Sequence, residues 1–266
     1  MAAVSQALVA FANHFRPPGA PGVEVIDTAR YRITLQPDYP IPGPNSVSWI
    51  RCRSQEADQL IDEVRSLVAP RHLPIMWTLD PQAEPADFPE HLAEHGVLPD
   101  PHAPEVDVMV LPISASIEPP LIDGLEMRDA LVDEASFRTA DAINSEAFDA
   151  PRSGGEGTGL ERRRQNQLAA GNRRVILASV GGEAAGSAGL TLFPPHGAVL
   201  NGGGVREKFR GRGVYRAMVA ARLAMARQAG VEGLAVWGGA MSAPILSRLG
   251  FEKVGWRRFY LDTTTG

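Results

Sequence analysis

The sequence runs to 266 residues, 44% of them hydrophobic and 21% charged, with a formal net charge of −5. That is enough chain for one large domain or two small ones, in the ordinary composition of a globular protein. The negative charge argues against general nucleic-acid binding, and no apolar run is long enough to span a membrane, so neither is expected as a partner.

Residues 1–15 lack the basic start of a signal peptide; Val4, Leu8, Phe11 and Phe15 instead fall on one face of an amphipathic helix. Residues 23–35 read as a hairpin around Thr28-Ala29-Arg30, and 39–45 as a Pro/Gly-rich loop. Residues 46–53 read as a strand, with Val47 and Trp49 on one face and Ile50 and Cys52 on the other. Ser54 can cap the next helix, whose buried stripe is Ala57, Leu60, Ile61, Val64 and Leu67. An apolar strand at 73–79 contains Trp77, and a short helix at 87–94 ends at Gly96. Residues 105–111 alternate as a half-buried strand does. The proline-rich stretch 112–123 reads as a linker between a domain 1–115 and a domain 116–266.

The second half opens on a strand (125–129) and a helix (133–148). A Gly/Pro/Ser-rich stretch (149–159), read as a loop, leads to a basic helix (160–170). Strands 174–180 and 185–193 form a hairpin turning at Gly181-Gly182, and His196-Gly197 turns the chain into a strand at 198–205. A glycine-rich turn then enters a helix ending at Gly230, with Val214, Met218, Ala221 and Met225 on one face. A strand at 234–238, a short helix at 244–249 and a strand at 256–262 complete the order.

Charge divides unevenly between the halves. From Asp123 onward there are 19 Lys and Arg against 15 Asp and Glu, or +4, leaving 7 basic and 16 acidic residues, or −9, before it. A basic half suits a polyphosphate ligand, while the acidic half either attracts a cationic substrate or is solvated surface. Cys52, the single cysteine, cannot form a disulfide within the chain and fits a reducing cytoplasm; its place among core residues argues against a nucleophile. No His, Cys and Asp stand at metal-ligand spacing, so no metal is expected.

The chemistry concentrates in the turn Arg210-Gly211-Arg212-Gly213-Val214-Tyr215-Arg216, entered from Asn201-Gly202-Gly203-Gly204-Val205. Glycines let backbone N–H groups curl around an anion, a helix start adds unpaired donors and a positive dipole end, and arginines add charge. This reads as a phosphate cradle, against the plainer alternative of a tight strand-to-helix turn. A P-loop would need Gly-Lys-Ser/Thr, and a dinucleotide fingerprint a glycine where Arg216 stands. What fits is Arg/Gln-x-x-Gly-x-Gly/Ala five residues after a strand valine: Val205, Arg210 and Gly213 match, and Tyr215 replaces the final small residue.

The motif, the element order from 123 to 266 and the Gly250-Phe251 ending resemble the GNAT superfamily of acyl-CoA N-acyltransferases. The resemblance implies an α/β (α+β) fold, a mixed central sheet flanked by helices. It implies that residues 210–216 hold the pyrophosphate of acetyl-CoA and that the edge Gly203, Gly204, Val205 pairs with its pantetheine arm. It further implies direct transfer to a primary amine of a small molecule or peptide, with a backbone N–H at or near Val205 as oxyanion donor. Where the family often carries an acidic tyrosine, four residues before the glycine of the Gly-Phe ending, this chain has Leu246. Ser242 and Ser247 lie nearby; Tyr215 and Tyr260 are substitutes without positional support. A thiol with a pKa of about 8.5 leaves near neutral pH with little acid help. Glu146 and Asp149 are base candidates, and Asn201 can hold a water. The alternative is a non-catalytic acyl-CoA-binding regulatory protein. A monomer or homodimer is expected.

The first half echoes the second: Ile75-Met76-Trp77 parallels Ala235-Val236-Trp237, and His95-Gly96-Val97 parallels Leu249-Gly250-Phe251. Arg53-Ser54-Gln55-Glu56-Ala57 has no glycine, and Glu56 would repel a pyrophosphate. The expectation is a tandem GNAT with a degenerate first copy, testable by a central parallel splay in 20–111; chance similarity of two α/β domains is the alternative.

Overall fold

The computed structural model describes residues 3–148 and 158–265. In chain order the elements are α1 (Gln6–His14), β1 (Glu24–Asp27), β2 (Arg32–Leu35), β3 (Ser46–Ser48), α2 (Ala57–Val68), β4 (Ile75–Leu79), α3 (Phe88–Glu94), β5 (Leu98–Pro99) and β6 (Glu105–Pro112). Then come β7 (Leu125–Asp129), α4 (Glu134–Phe148), α5 (Thr158–Ala170), β8 (Arg173–Val180), β9 (Glu183–Phe193), β10 (Gly197–Val205), α6 (Val214–Gln228), β11 (Gly233–Gly238), α7 (Ala243–Arg248) and β12 (Glu252–Asp262). No described helix is long and apolar enough to cross a membrane.

The chain divides into two compact units, Met1–Arg16 with Val108–Val254, and Pro17–Asp107 with Gly255–Gly266. These are not the consecutive halves 1–115 and 116–266. The reason is packing at both ends. Leu8 and Phe11 of α1 are buried with Val110 and Ala235 in the larger unit. Asp262 of β12 is buried in the smaller unit, where Arg65 Nε (2.9 Å) and Trp77 Nε1 (3.3 Å) donate to it. Nor is the stretch after β6 a free linker. Ile117 is buried in the larger unit, and Arg227 of α6 donates to the carbonyls of Ile113 (3.0 Å) and Ala115.

In the larger unit the strand order is β7-β8-β9-β10-β11-β6, with β7 to β10 antiparallel and β10–β11 parallel. β8 is buried on both faces, as its run Val175-Ile176-Leu177-Ala178 requires. Val175 and Leu177 pack with Phe137, Ala140 and Ile143 of α4, while Ile176 and Ala178 pack with Val214 and Met218 of α6. A period of two therefore sets α4 and α6 on opposite faces of one sheet.

The smaller unit has the strand order β1-β2-β3-β4-β12. Leu60, Ile61 and Val64 of α2 and Phe88 and Leu92 of α3 share its core with Trp77. β3 and β4 are parallel through Ser46↔Met76 and Val47↔Trp77, where a central parallel splay was expected. The strand read over 46–53 stops at Ser48, because Trp49 turns to φ 60°. Beyond it the Glu84 N–H donates to Ile50 O (3.0 Å) and Cys52 N–H to Glu84 O (3.1 Å). The chain's own backbone thus fills the edge that would otherwise diverge. Folding also does what spacing did not show: it brings Asp58, His91 and Glu94 within 4.8 Å of one another.

Candidate active site

β10 and β11 pair only through Ala198↔Leu234 and Val199↔Ala235, although β10 continues to Val205 and β11 to Gly238. The two strands part, and their facing edges lose each other's hydrogen bonds. On its other side β10 stays with β9 through a bulge between Asn201 and Gly204. Arg206 N–H bonds Ala185 O (2.9 Å), so by the alternation of an antiparallel ladder the Val205 N–H and C=O point to the open edge. Arg210 Nε indeed takes the Val205 carbonyl at 3.1 Å. A Cβ on Gly204 would stand 2.6 Å from that of Ala147, so glycine is what lets α4 lie on the strand.

The turn after β10 anchors itself with buried Phe209. Gly213 takes φ 87° as the N-cap of α6, and no side chain caps that helix. Its first N–H groups are the orphan donors of a helix start, at the positive end of the dipole. Arg210, Gly211, Arg212 and Arg216 are exposed around it. Val214 is not; it is buried in the core. A Cβ on Gly213 would stand 2.8 Å from Pro120, so this glycine answers to packing as well as to its left-handed backbone.

Tyr215 points inward. Its ring lies under Gly203, where a Cβ would come within 3.0 Å, and its phenol accepts from Arg222. Arg222 is 1% exposed. It donates to Met218 O (3.1 Å), Gly189 O (3.2 Å) and Gly202 O (3.2 Å). Burial lowers its pKa to about 10, against a smaller upward pull from Tyr215, so it stays charged at neutral pH. Sequence reading missed Arg222, a charged residue one turn after Met218 on the face assigned to the core.

Of the expected catalytic residues, Glu146 faces the cradle. It helps line a cleft of about 500 Å³ with Ile143, Ala147, Val205, Arg206 and Arg210, and pairs with Arg206 at 3.1 Å. Asn201 is occupied: its Oδ1 accepts from Thr191 Oγ1 (2.7 Å) and from Arg173. Ser242 Oγ donates to Gly239 O at 3.4 Å and is not among the residues lining the cleft. Leu246 is fully buried, with Met109 and Phe251 in its cluster. His196 packs at a tilt against Phe15, ring centres 5.4 Å apart. Asp149 lies outside the described residues. Burial raises the thiol pKa of Cys52, the reverse of what a nucleophile needs. Arg216 opens on a second hollow of about 340 Å³ with Ser116 and Arg248. Arg248 went unread; its one signal was an arginine in the last turn before the Gly-Phe ending.

Residues 140–251 match the model of the acetyltransferase (GNAT) family. The match places a GNAT domain in residues 140–251, a family of acetyltransferases. A GCN5-related N-acetyltransferase from Kribbella flavida is similar at 15% identity, with a TM-score of 0.67 over 91% of this chain and 90% of that one. A functionally unknown conserved protein from Staphylococcus epidermidis gives 14%, 0.68, 97% and 99%. A tandem GNAT protein from the clavulanic acid biosynthesis pathway gives 16%, 0.58, 92% and 84%. At such identities the likeness is one of fold, and the fold is that of GNAT proteins. No curated protein matches the sequence.

Proposed function

We propose that the protein transfers an acetyl group from acetyl-CoA to a primary amine of a small molecule or peptide, in the cytoplasm. The observation that carries this reading is the parting of β10 from β11 beside the uncapped start of α6. Open strand edge and orphan helix donors meet at Val205–Gly213, where a thioester cofactor needs peptide-like pairing for its arm and N–H groups for its pyrophosphate.

Bound acetyl-CoA supplies an activated acyl thioester. The first N–H groups of α6, with Arg210 and Arg212, hold the diphosphate; the exposed guanidinium of Arg216 adds charge beside them. The cofactor arm pairs with the open edge of β10 at Gly203–Val205, and the Val205 N–H there is the donor for a developing oxyanion. Glu146, paired with Arg206 in the cleft, receives the amine proton directly or through a water. Buried Asn144 Oδ1, near the bulge at Gly202, has no hydrogen-bond partner among the described residues and offers an acceptor to an amine N–H.

Thiol release from acetyl-CoA across a panel of amines tests the reading. Release that depends on one amine class supports it. Cofactor binding with no release from any amine favours the acyl-CoA-binding regulatory alternative, which buried Leu246 and the occupied Asn201 make the second reading.

A further inference from the structure

The smaller unit holds a cluster that acyl transfer leaves unused. α2 and α3 share a core through Leu60, Ile61, Val64, Phe88 and Leu92, which fixes their outward faces side by side. Asp58 Oδ1 lies 2.8 Å from His91 Nδ1 and 3.3 Å from His95 Nε2. One carboxylate oxygen thus receives two imidazoles, and Glu94 brings a second carboxylate within 4.8 Å of Asp58 and His91. Ligands about 2.0–2.1 Å from a tetrahedral zinc ion stand roughly 3.3–3.4 Å from one another, and Asp58 Oδ1 is already close to that spacing from both rings.

The far side of each ring matters as much. His91 Nε2 faces Asp87 Oδ2 at 3.8 Å, and His95 Nδ1 faces Asp62 Oδ1 at 3.7 Å. Asp87 is itself held by Ser54 Oγ at 2.7 Å, and Arg65 donates to the His95 carbonyl at 2.9 Å. A metal-bound imidazole characteristically has its other nitrogen backed by a carboxylate, which fixes tautomer and orientation. An ordinary His–Asp ion pair explains one such contact. It does not explain two rings converging on one oxygen, each with its own carboxylate behind it.

We propose that Asp58, His91, Glu94 and His95 form a binding site for a divalent transition-metal ion, with zinc the best fit. Two imidazoles suit zinc, nickel or copper, whereas magnesium and calcium take oxygen ligands. The ion would clasp α3 to the start of α2.

The test is calorimetric titration of zinc chloride into the metal-free full chain, with a thermal melt and cobalt absorption on the same protein. One equivalent should bind and raise the melting temperature, and cobalt should show absorption bands of a low-coordinate site. Losing an outer-shell partner costs about 10–100-fold in affinity, so His91→Ala and His95→Ala should each cost at least about tenfold. His102→Ala should change nothing. Should a histidine variant not fold, Asp58→Asn, whose side chain is 59% exposed, carries the same expectation. Absence of saturable binding, or equal binding by these variants and the parent chain, would overturn the site.

Discussion

Tyr215 stands where the family pattern has glycine or alanine, and Arg222 accounts for the exchange. The ring turns away from the exposed arginines and packs beneath Gly203, and its oxygen serves a guanidinium that has carbonyls but no carboxylate for partners. Leaving a buried donor unpaired costs about 1–3 kcal/mol. Tyr215→Phe is therefore expected to lower the urea unfolding free energy by that amount, and Arg222→Met, which also strips two strand carbonyls, by more. Leu246→Tyr is expected to cost about 1–3 kcal/mol by overpacking, and to restore no acid, because the position faces the core beside Met109 and Gly238. The turn at Gly211 and Gly213 was legible because glycines at a strand-to-helix junction mark left-handed backbone, which both adopt. Arg222 was not, because its partners are backbone carbonyls at a bulge, and carbonyls carry no residue signature.

Among the elements, hairpins and helices with clear periodicity stand where the sequence placed them, among them the turn at Gly181-Gly182 and the helix ending before Gly230. The strand expected over 46–53 failed at Trp49, whose positive φ no alternation pattern reveals. The site depends on a strand pair that stops pairing, and the sequence signals it only indirectly, through glycines at 202–204. β12 is pinned by Asp262, whose carboxylate takes bonds from Arg65, Trp77 and Thr264. Burial alone would raise its pKa, but the Arg65 and Thr264 hydrogen bonds outweigh burial and hold it low. A folded pKa below the unfolded one means stability present above the unfolded value of about 3.9 and lost as pH falls through the folded value. The parent chain should lose this contribution in acid below about pH 4. Asp262→Ala, which leaves Arg65 without its carboxylate, should cost about 3–5 kcal/mol at neutral pH and flatten that acid loss in urea titrations from pH 3 to 7.

At the scale of the whole molecule, sequence order and structural unit are different things. The likeness of Ile75-Met76-Trp77 to Ala235-Val236-Trp237 falls on β4 and β11, each of which has a short parallel partner. What could not be read was where the ends go, since Leu8 and Phe11 pack with Ala235, and Asp262 bonds Arg65 and Trp77, far along the chain. A chain cut to 116–266 would lose α1 and β6 from the larger unit, and circular dichroism should find it unfolded or aggregated. The proposed cradling of an acyl-CoA by Val205–Gly213 is checked by calorimetric titration of acetyl-CoA into the full chain and into Arg210→Glu. One saturable site is expected, with a Kd of about 1 µM to 1 mM, the range of substrate constants. The variant should keep its melting temperature and lose the binding. Absence of binding by the parent chain, or equal binding by both, would contradict it.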